Sequence, residues 1–347
     1  MTKVRVGIIG SGPIAQSAHI PGYQAAKDAE VVALCDIKPG VLKEAAAKFN
    51  ISRTYIDYRE LLAADDIDAV SICTPNAFHM QPTIDALEAG KHVLCEKPIA
   101  RNAKEGQKMV DAANRTGKKL MIGLNNRFRS GPKALKRFIE QGQLGEIYFG
   151  KSLATRRRGI PSWGAFTNKE IAGGGPLIDL GVHVLDLTLW LIGFPKPVSV
   201  LGATYAKIGT KKPALGSGWM WDPRKFEVED LGVGLIRFEN GMTLFLEASF
   251  AANIEKEEFT TTLYGDKGGA SLDPLRIFTE YGGMIADVTP ARLSEKNSHQ
   301  LEVAAFVEAI KKDKPVPIPG EEALLTTKIL DAIYESSEKG KEVAIRA

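Results

Sequence analysis

Short apolar runs and amphipathic stretches alternate along the first part of the chain. Continuous apolar runs of this length are typical of strands that are buried on both faces of a parallel sheet. Strands are predicted at 4–9, 30–36, 54–58, 67–73, 92–96 and 119–124. Helical patterns lie between them, at about 40–49, at 60–64 and in the stretches that end near Ala89 and Thr116. This alternation predicts a doubly wound parallel sheet.

The pattern changes after Leu124. Strand-like segments follow one another at 147–156, 198–206, 232–238, 242–250 and 259–264, and helical patterns lie at 132–141, 299–312 and 321–338. Asn240 and Gly241 form a hairpin signal between two of these strands. Runs of strands after an alternating half predict a second domain of the α+β class. The predicted fold is therefore α/β, with domains at 1–124 and 125–347.

The first strand leads into a glycine-rich turn, Gly10-Ser11-Gly12-Pro13-Ile14-Ala15. In this G-x-G-x-x-A pattern the first glycine permits a tight turn, and the second lets the backbone approach a pyrophosphate. Pro13 suits the first turn of a helix, whose N-terminus favours phosphate groups. The turn therefore predicts a dinucleotide-binding domain.

The second strand ends at Asp36. It lies 36 − 15 = 21 residues past Ala15, where a ribose-binding carboxylate is expected. A carboxylate there repels a 2′-phosphate, so NAD is predicted and NADP is less favoured, although Lys38 leaves NADP open. An alternative role is a helix N-cap before Pro39.

The apolar run at 92–95 leads into Glu96, Lys97 and Pro98, and proline ends the strand because it has no N–H to donate. Ligands of such sheets bind beyond the carboxyl ends of the strands, so Glu96 and Lys97 are predicted at the rim of a crevice. A desolvated lysine there suits proton transfer, and a solvated salt bridge is the alternative. Three polar residues that follow the preceding strand should face the same crevice: Thr74, Asn76 and His79.

A second polar group follows three consecutive glycines at 173–175. Asp179 and His183 are four residues apart and Asp186 is three further on, so a helix places them on one face. A carboxylate beside an imidazole raises the basicity of the ring, as a general base requires. A structural Asp–His pair is an alternative. No metal is predicted, because a full ligand set is absent.

Composition and charge exclude several classes of protein. The 347 residues are 44% hydrophobic and 25% charged, and the net charge is +3 without a basic block, so nucleic acid is not an expected partner. No unbroken apolar run reaches the length of a membrane span, and no signal peptide is apparent, which predicts a cytoplasmic protein without a membrane partner. Cys35, Cys73 and Cys95 fit neither disulfide nor zinc spacing.

Together these motifs resemble the glucose–fructose oxidoreductase/inositol dehydrogenase/MocA (Gfo/Idh/MocA) family over nearly the whole chain. The resemblance implies a Rossmann domain, a C-terminal domain with a large, mostly antiparallel sheet, and homodimers or homotetramers formed through that sheet. It also implies Lys97, Asp179 and His183 as the catalytic set.

The predicted site extends beyond these three residues. The predicted cofactor-binding residues are Gly10, Gly12, Pro13, Ile14, Asp36, Thr74, Asn76, His79, Glu96, Lys97 and Asn125. The predicted substrate-binding residues are Lys97, Arg127, Arg156, Trp163, Asp179 and His183. Arg156 could bind an anionic group or lie on a solvated face, and Trp163 could stack on a sugar ring or pack in the interior.

The predicted function is an NAD-dependent dehydrogenase that acts on a secondary hydroxyl of a sugar, sugar derivative or cyclitol. His183 would take the hydroxyl proton, Lys97 would stabilise the developing alkoxide and Asp179 would position the pair, with the formal base left open between Lys97 and His183. Two alternatives remain: a glycosidase that retains NAD and acts by transient oxidation and elimination, and a non-catalytic nucleotide sensor.

Overall fold

The computed structural model describes residues 3–217 and 219–345, and the chain divides into two compact units. The first unit comprises Met1–Phe128 and Lys296–Leu324, and the second comprises Arg129–Glu295 and Leu325–Ala347. The domain boundary predicted between residues 124 and 125 assigns Lys296–Leu324 to the second domain, whereas the structure places this segment in the first unit. Helical periodicity shows that a helix has a buried face, but not which sheet that face covers.

The first unit contains a six-stranded, entirely parallel sheet in the order β3-β2-β1-β4-β5-β6. Its strands are β1 (Val4–Ile9), β2 (Ala29–Cys35), β3 (Thr54–Tyr55), β4 (Ala69–Ile72), β5 (His92–Glu96) and β6 (Leu120–Gly123). The strand order reverses between β1 and β4, and in such sheets the ligand crevice lies at this reversal. The predicted doubly wound sheet is confirmed.

Among the described residues, six α-helices lie wholly in this unit: α1 (Ile20–Ala25), α2 (Pro39–Phe49), α3 (Tyr58–Leu62), α4 (Met80–Glu88), α5 (Ala103–Thr116) and, from later in the chain, α9 (Ser298–Lys311). Strand β3 is shorter and α3 begins earlier than predicted, because the side chain of Asp57 accepts a hydrogen bond from the backbone N–H of Arg59 and caps the helix. Helix α5 is followed by the C-cap residue Gly117, whose φ of 65° suits glycine.

The second unit contains a nine-stranded sheet in the order β14-β13-β12-β11-β7-β10-β9-β8-β15. Every neighbouring pair is antiparallel except β7 and β10. The strands are β7 (Ile147–Thr155), β8 (Pro197–Tyr205), β9 (Leu231–Phe238), β10 (Thr243–Ser249), β11 (Glu258–Gly265), β12 (Gly268–Ser271), β13 (Arg276–Tyr281), β14 (Met284–Val288) and β15 (Val343–Ala344). The predicted α+β domain with a large, mostly antiparallel sheet is confirmed.

Helices cover one face of this sheet. They are α6 (Ser130–Glu140), α8 (Val182–Ile192) and α10 (Gly320–Lys339), the last of which crosses the division between the units along the chain. The short α7 (Lys169–Ala172) precedes α8. The hydroxyl of Ser152 on β7 lies 2.6 Å from that of Thr188 on α8, and a Cβ at Gly202 on β8 would lie 2.8 Å from Ile333 of α10. Side chains of the opposite face stay accessible: Leu201 is 52% and Leu235 is 39% exposed.

The helical run Lys169–Ile192 is long and apolar enough to cross a membrane by length and composition. However, 78% of its apolar window is buried inside the structure, as in the core helix of a soluble protein. Asp179, His183 and Asp186 interrupt this run, so it is not an unbroken apolar stretch in the sequence.

Candidate active site

The turn after β1 has the geometry that a dinucleotide requires. Gly10 has a φ of 89°, and a Cβ there would lie 2.7 Å from the carbonyl oxygen of Cys73, so a side chain is excluded. A Cβ at Gly12 would meet no atom within 4 Å, so its backbone faces open space. Pro13 and Ile14 lead into a π-helical turn at Ala15–His19, which continues as α1. These residues fit the pyrophosphate of a dinucleotide.

Asp36 is tied directly to this turn. One of its carboxylate oxygens accepts a hydrogen bond from the backbone N–H of Ser11 at 2.9 Å, and the other accepts from the backbone N–H of Lys38 at 2.8 Å. Each oxygen retains a further lone pair for a ribose hydroxyl. The alternative N-cap role does not apply to α2, whose N-cap residue is Lys38.

The loops after β4 and β5 are joined by His79, which is fully buried. Its Nδ1 lies 2.8 Å from the carbonyl oxygen of Pro98, and its Nε2 lies 2.8 Å from that of Thr74. Thr74 in turn donates to the carbonyl of Phe78, and a 3₁₀ turn begins at Asn76. Burial lowers the pKa of His79. The ring therefore braces two strand-end loops, and its predicted contact with the cofactor stays a prediction.

Glu96 and Lys97 end β5 as predicted, but the Glu96 carboxylate points into the protein. It is 7% exposed and pairs with Nε2 of His19 at 2.8 Å. Burial alone raises the pKa of Glu96, but the hydrogen bond to His19 and the charge of that ring outweigh it and lower the pKa to about 2. Lys97 is half-buried and precedes a cis peptide bond to Pro98.

Two predicted residues that follow β6 bind the segment 296–324 within the first unit. The side-chain amide of Asn125 donates to the hydroxyl of Ser298 at 2.8 Å. Arg127 is 3% exposed and its guanidinium is ion-paired with Glu322. Both residues thus have a structural role, and their predicted contacts with cofactor and substrate stay predictions.

The polar stripe of the second unit lies where a π-helical turn, Leu177–Gly181, joins α8. Asp179 belongs to the π turn and His183 to the first turn of α8; both are half-buried. Asp186 is buried, at 1% exposure. The sequence predicts a continuous α-helix here, but the segment begins with a π-helical turn. Single π turns are frequent at functional sites.

Glu229 anchors the start of this turn. Its carboxylate accepts hydrogen bonds from the backbone N–H groups of Gly175 and Leu177, at 3.0 and 3.1 Å, and from the hydroxyl of Tyr334 at 2.7 Å. Burial raises the pKa of Glu229, although these bonds act against it. A Cβ at Gly174 would lie 2.1 Å from the Tyr334 hydroxyl, which explains a glycine there. Sequence reasoning missed Glu229, because it lies more than 50 residues from the turn it binds.

Arg156 and Trp163 belong to a cluster of side chains in the second unit. The indole of Trp163 is 49% exposed and packs edge-to-face on Trp219, with ring centroids 4.3 Å apart. The guanidinium of Arg156 lies 5.5 Å from the Trp219 ring centroid. The backbone N–H of Arg156 donates to Ser249, the neighbour of Ala248, and a Cβ at Gly181 would lie 3.4 Å from Ala248. The cluster thus lies at the same end of the sheet as the π turn.

The predicted residues therefore form two groups. The strand-end residues from Gly10 to Asn125 lie in the first unit, and Arg156, Trp163, Asp179 and His183 lie in the second. Within residues 3–217 and 219–345, no group of three or more His, Cys, Asp or Glu side chains is arranged to hold a metal ion. Cys35, Cys73 and Cys95 are buried thiols.

Comparison with known proteins identifies the family. Residues 4–124 match an oxidoreductase family with an NAD-binding Rossmann fold, GFO_IDH_MocA, and residues 136–345 match the C-terminal alpha/beta domain of the same family. The chain belongs to this family. The predicted resemblance is confirmed, and with it the assignment to oxidoreductases that use NAD.

Individual relatives cover most of the chain. It is 39% identical over 346 residues to D-glucoside 3-dehydrogenase of Escherichia coli strain K12, a match that covers 99% of this chain and 98% of that protein. It is 31% identical over 294 residues to levoglucosan dehydrogenase of Pseudarthrobacter phenanthrenivorans, with 77% and 73% covered. A solved structure of levoglucosan dehydrogenase in complex with NADH and levoglucosan superposes with a TM-score of 0.86, at 25% identity and complete coverage of both chains.

Proposed function

We propose that the protein oxidises a secondary hydroxyl of a sugar, sugar derivative or cyclitol with NAD, and that D-glucosides are its first candidate substrates. The observation that carries the proposal is one edge of the parallel sheet, where the open backbone of Gly12, the carboxylate of Asp36 and Lys97 follow the carboxyl ends of β1, β2 and β5. The likeness to D-glucoside 3-dehydrogenase along 99% of the chain supports the substrate class. Repulsion between Asp36 and a 2′-phosphate favours NAD over NADP.

Each proposed catalytic residue has a separate role. Bound NAD supplies the hydride acceptor. Lys97 donates a hydrogen bond to the reacting hydroxyl oxygen and stabilises the negative charge that develops there. His183 removes the proton from that oxygen, and Asp179 orients the imidazole. Lys97 and His183 both remain candidates for the formal base.

The second unit supplies the proposed substrate-binding and oligomerisation surfaces, and the first binds the dinucleotide. The exposed indole of Trp163 offers an apolar face for a sugar ring, and Arg156 offers hydrogen-bond donors. The accessible face of the nine-stranded sheet, with Leu201 opposite Leu235, supports a homodimer or homotetramer. The buried, unpaired thiols and ordinary globular composition support a cytoplasmic location.

The activity is tested by mixing the protein with NAD and a panel of D-glucosides, levoglucosan, aldoses and cyclitols, and following NADH absorbance. We expect stoichiometric NADH formation with at least one class. Release of aglycone without net NADH would instead identify the glycosidase cycle. Binding of NAD without any turnover across the panel would identify a nucleotide sensor and overturn the proposal.

The role of Lys97 is tested by Lys97→Ala, with Lys108→Ala on the exposed side of α5 as a matched control. Loss of one donor that stabilises developing charge typically lowers turnover by about 10²–10³-fold. We expect this loss in Lys97→Ala with NAD affinity nearly unchanged, and wild-type kinetics in the control. Turnover that is intact at saturation with weakened NAD binding would show that Lys97 only attracts the phosphates.

A further inference from the structure

A group of buried polar side chains lies behind the end of β5 in the first unit. His19 ends the π turn after the glycine-rich loop, Tyr23 lies on α1, Ser71 lies on β4 and Glu96 ends β5. The exposed fractions are 1% for His19, 0% for Tyr23 and Ser71, and 7% for Glu96. Burying polar and charged groups is costly unless they bind one another, so their contacts define what the group does.

Both nitrogens of the His19 ring are engaged. Nε2 lies 2.8 Å from Oε1 of Glu96, and Nδ1 lies 3.1 Å from the hydroxyl of Ser71. The Ser71 hydroxyl is itself 2.8 Å from the hydroxyl of Tyr23. Strands β5 and β4 therefore fix the orientation of the ring through Glu96 and Ser71, and α1 holds the Ser71 hydroxyl through Tyr23. The ring cannot turn without breaking the contact to Glu96.

The pair is ionic. Burial disfavours the protonated ring, but the contacts of the ring with its polar neighbours outweigh burial, and the pKa of His19 is raised well above its usual value. Glu96 is the physically effective partner, because burial raises the pKa of Cys73 and keeps that thiol neutral. The pKa of Glu96 is lowered in turn, so an imidazolium faces a carboxylate.

The second oxygen of Glu96 connects this pair to Lys97. Oε2 accepts a hydrogen bond from the backbone N–H of Lys97 at 3.2 Å. On the neighbouring strand a Cβ at Gly123 would lie 3.1 Å from Oε1 of Glu96, so glycine leaves the carboxylate its space. A continuous set of contacts thus runs from the His19 ring through Glu96 to the backbone of Lys97.

We propose that His19 is a positioning residue that acts through Glu96 to hold the backbone at Lys97 in its reactive place. The proposal rests on the proposed function, since it assigns His19 its effect through the catalytic lysine. Without the imidazolium, the buried carboxylate lacks its counter-ion and must take up a proton or move, and the first change weakens the acceptor of the Lys97 N–H while the second removes it.

The test compares His19→Ala and His19→Gln, with His92→Ala at the other end of β5 as the matched control. Partners that orient a functional group typically contribute about 10–100-fold to activity. We expect kcat of His19→Ala to fall by about this factor with the dissociation constant for NAD within roughly threefold of wild type. His19→Gln should recover part of the loss, because its amide can donate to Glu96, and His92→Ala should keep wild-type kcat.

The deciding measurement repeats the His19 substitutions in a Lys97→Ala background. If His19 acts through Lys97, they should lower the residual rate by less than about twofold there, since residues that act as one unit are non-additive. Equal losses in both backgrounds would identify general structural damage and overturn the proposal, as would unchanged kcat in His19→Ala. If His19→Ala is not recovered folded, His19→Gln gives the same comparison.

Failure of this inference differs from failure of the proposed function. Full turnover in Lys97→Ala alone would remove the proposed role of the lysine. If turnover is lost in Lys97→Ala but both His19 variants keep wild-type turnover, only the positioning role of His19 is removed.

Discussion

Glu96 and Glu302 are both buried carboxyl groups of the first unit, and their surroundings shift their pKa values in opposite directions. Glu96 faces the His19 ring at 2.8 Å and its pKa is lowered to about 2. Glu302 on α9 is 1% exposed, and its nearest basic group is Nδ1 of His299 at 3.6 Å. Burial raises the pKa of Glu302 to about 7, and the charge of Glu96 acts in the same direction against His299 and His19. The surroundings of the same residue type thus favour the anion in one place and the protonated acid in the other.

Glu302 makes stability depend on pH. Its folded-state pKa lies above the unfolded value of 4.5, so its contribution is present below pH 4.5 and is lost as pH rises through about 7. Relative to Glu302→Gln, we expect the wild type to lose on the order of 2–3 kcal/mol of unfolding free energy between these limits. Guanidinium denaturation at several pH values measures this difference.

Glu308→Gln on the same helix is the control for this experiment. Its hydrogen bond to Lys312 lowers the pKa of Glu308, so any effect has the opposite sign. A pH dependence of Glu302→Gln that parallels the wild type would show that Glu302 is ionised in the fold.

Single residues were predictable from the sequence where their role is local. Gly10 and Asp36 follow neighbouring strands and belong to a short pattern with fixed spacing, so their positions were evident before the fold. The contact between His19 and Glu96 was not predictable, because 77 residues separate them and no sequence motif contains both. The Glu96 carboxylate was expected at the rim of the crevice, but it points into the protein toward His19. A position at the end of a strand does not by itself specify the direction of the side chain.

At the scale of elements, the π turn Leu177–Gly181 depends on an acceptor from another part of the chain. The first N–H groups of a helix lack partners within it. Here the Glu229 carboxylate accepts hydrogen bonds from the backbone N–H groups of Gly175 and Leu177 at the start of the turn. The strands β12, β13 and β14 were not predicted. Strand β12 begins with Gly268 and Gly269, and exposed or polar residues in β13 and β14 weaken the alternation of apolar and polar positions. Strands with both faces buried, such as β1 and β5, were found from their apolar runs.

Glu229→Ala tests this dependence. It leaves the N–H groups of Gly175 and Leu177 without their acceptor, and each unsatisfied buried group costs about 1–3 kcal/mol. We expect a loss of roughly 2–4 kcal/mol in unfolding free energy and reduced kcat. Tyr334→Phe, which removes a single hydrogen bond to Glu229, should cost about 1 kcal/mol. Equal destabilisation by the two variants in guanidinium denaturation would contradict the anchoring role.

At the scale of the whole molecule, one face of the nine-stranded sheet keeps exposed apolar side chains. Leu201, Leu235 and Phe245 form one row across β8, β9 and β10. Phe149 on β7 and Tyr264 on β11 continue the apolar surface, with ring centroids 5.4 Å apart. Lys151 lies between the two groups, with its Nζ 5.8 Å from the centroid of the Tyr264 ring. Exposed apolar side chains with polar neighbours are typical of an interface between subunits.

The double variant Leu201→Lys and Leu235→Lys tests the proposed interface. Two buried charges of the same sign on each subunit should break association, because unpaired charges are costly at an interface. Light scattering coupled to size exclusion should give two or four chain masses for the wild type and one for the variant. Leu215→Lys, at a fully exposed loop position, should leave the mass unchanged. A monomeric wild type at micromolar concentration would rule the interface out.

The division of the chain between the units has a consequence for how the protein is made. During synthesis the six strands of the first sheet leave the ribosome long before Lys296–Leu324, yet Ser298, Glu302 and Glu322 complete that unit. The N-terminal unit cannot finish folding until almost the whole chain has emerged, and the loop that must close is the segment Arg129–Glu295 of the second unit. Closing so long a loop is entropically costly and slow. Until then, the nascent first unit is incompletely folded and part of its apolar surface is exposed to solvent. Such exposed apolar surface favours aggregation, and chaperones act on chains in this state.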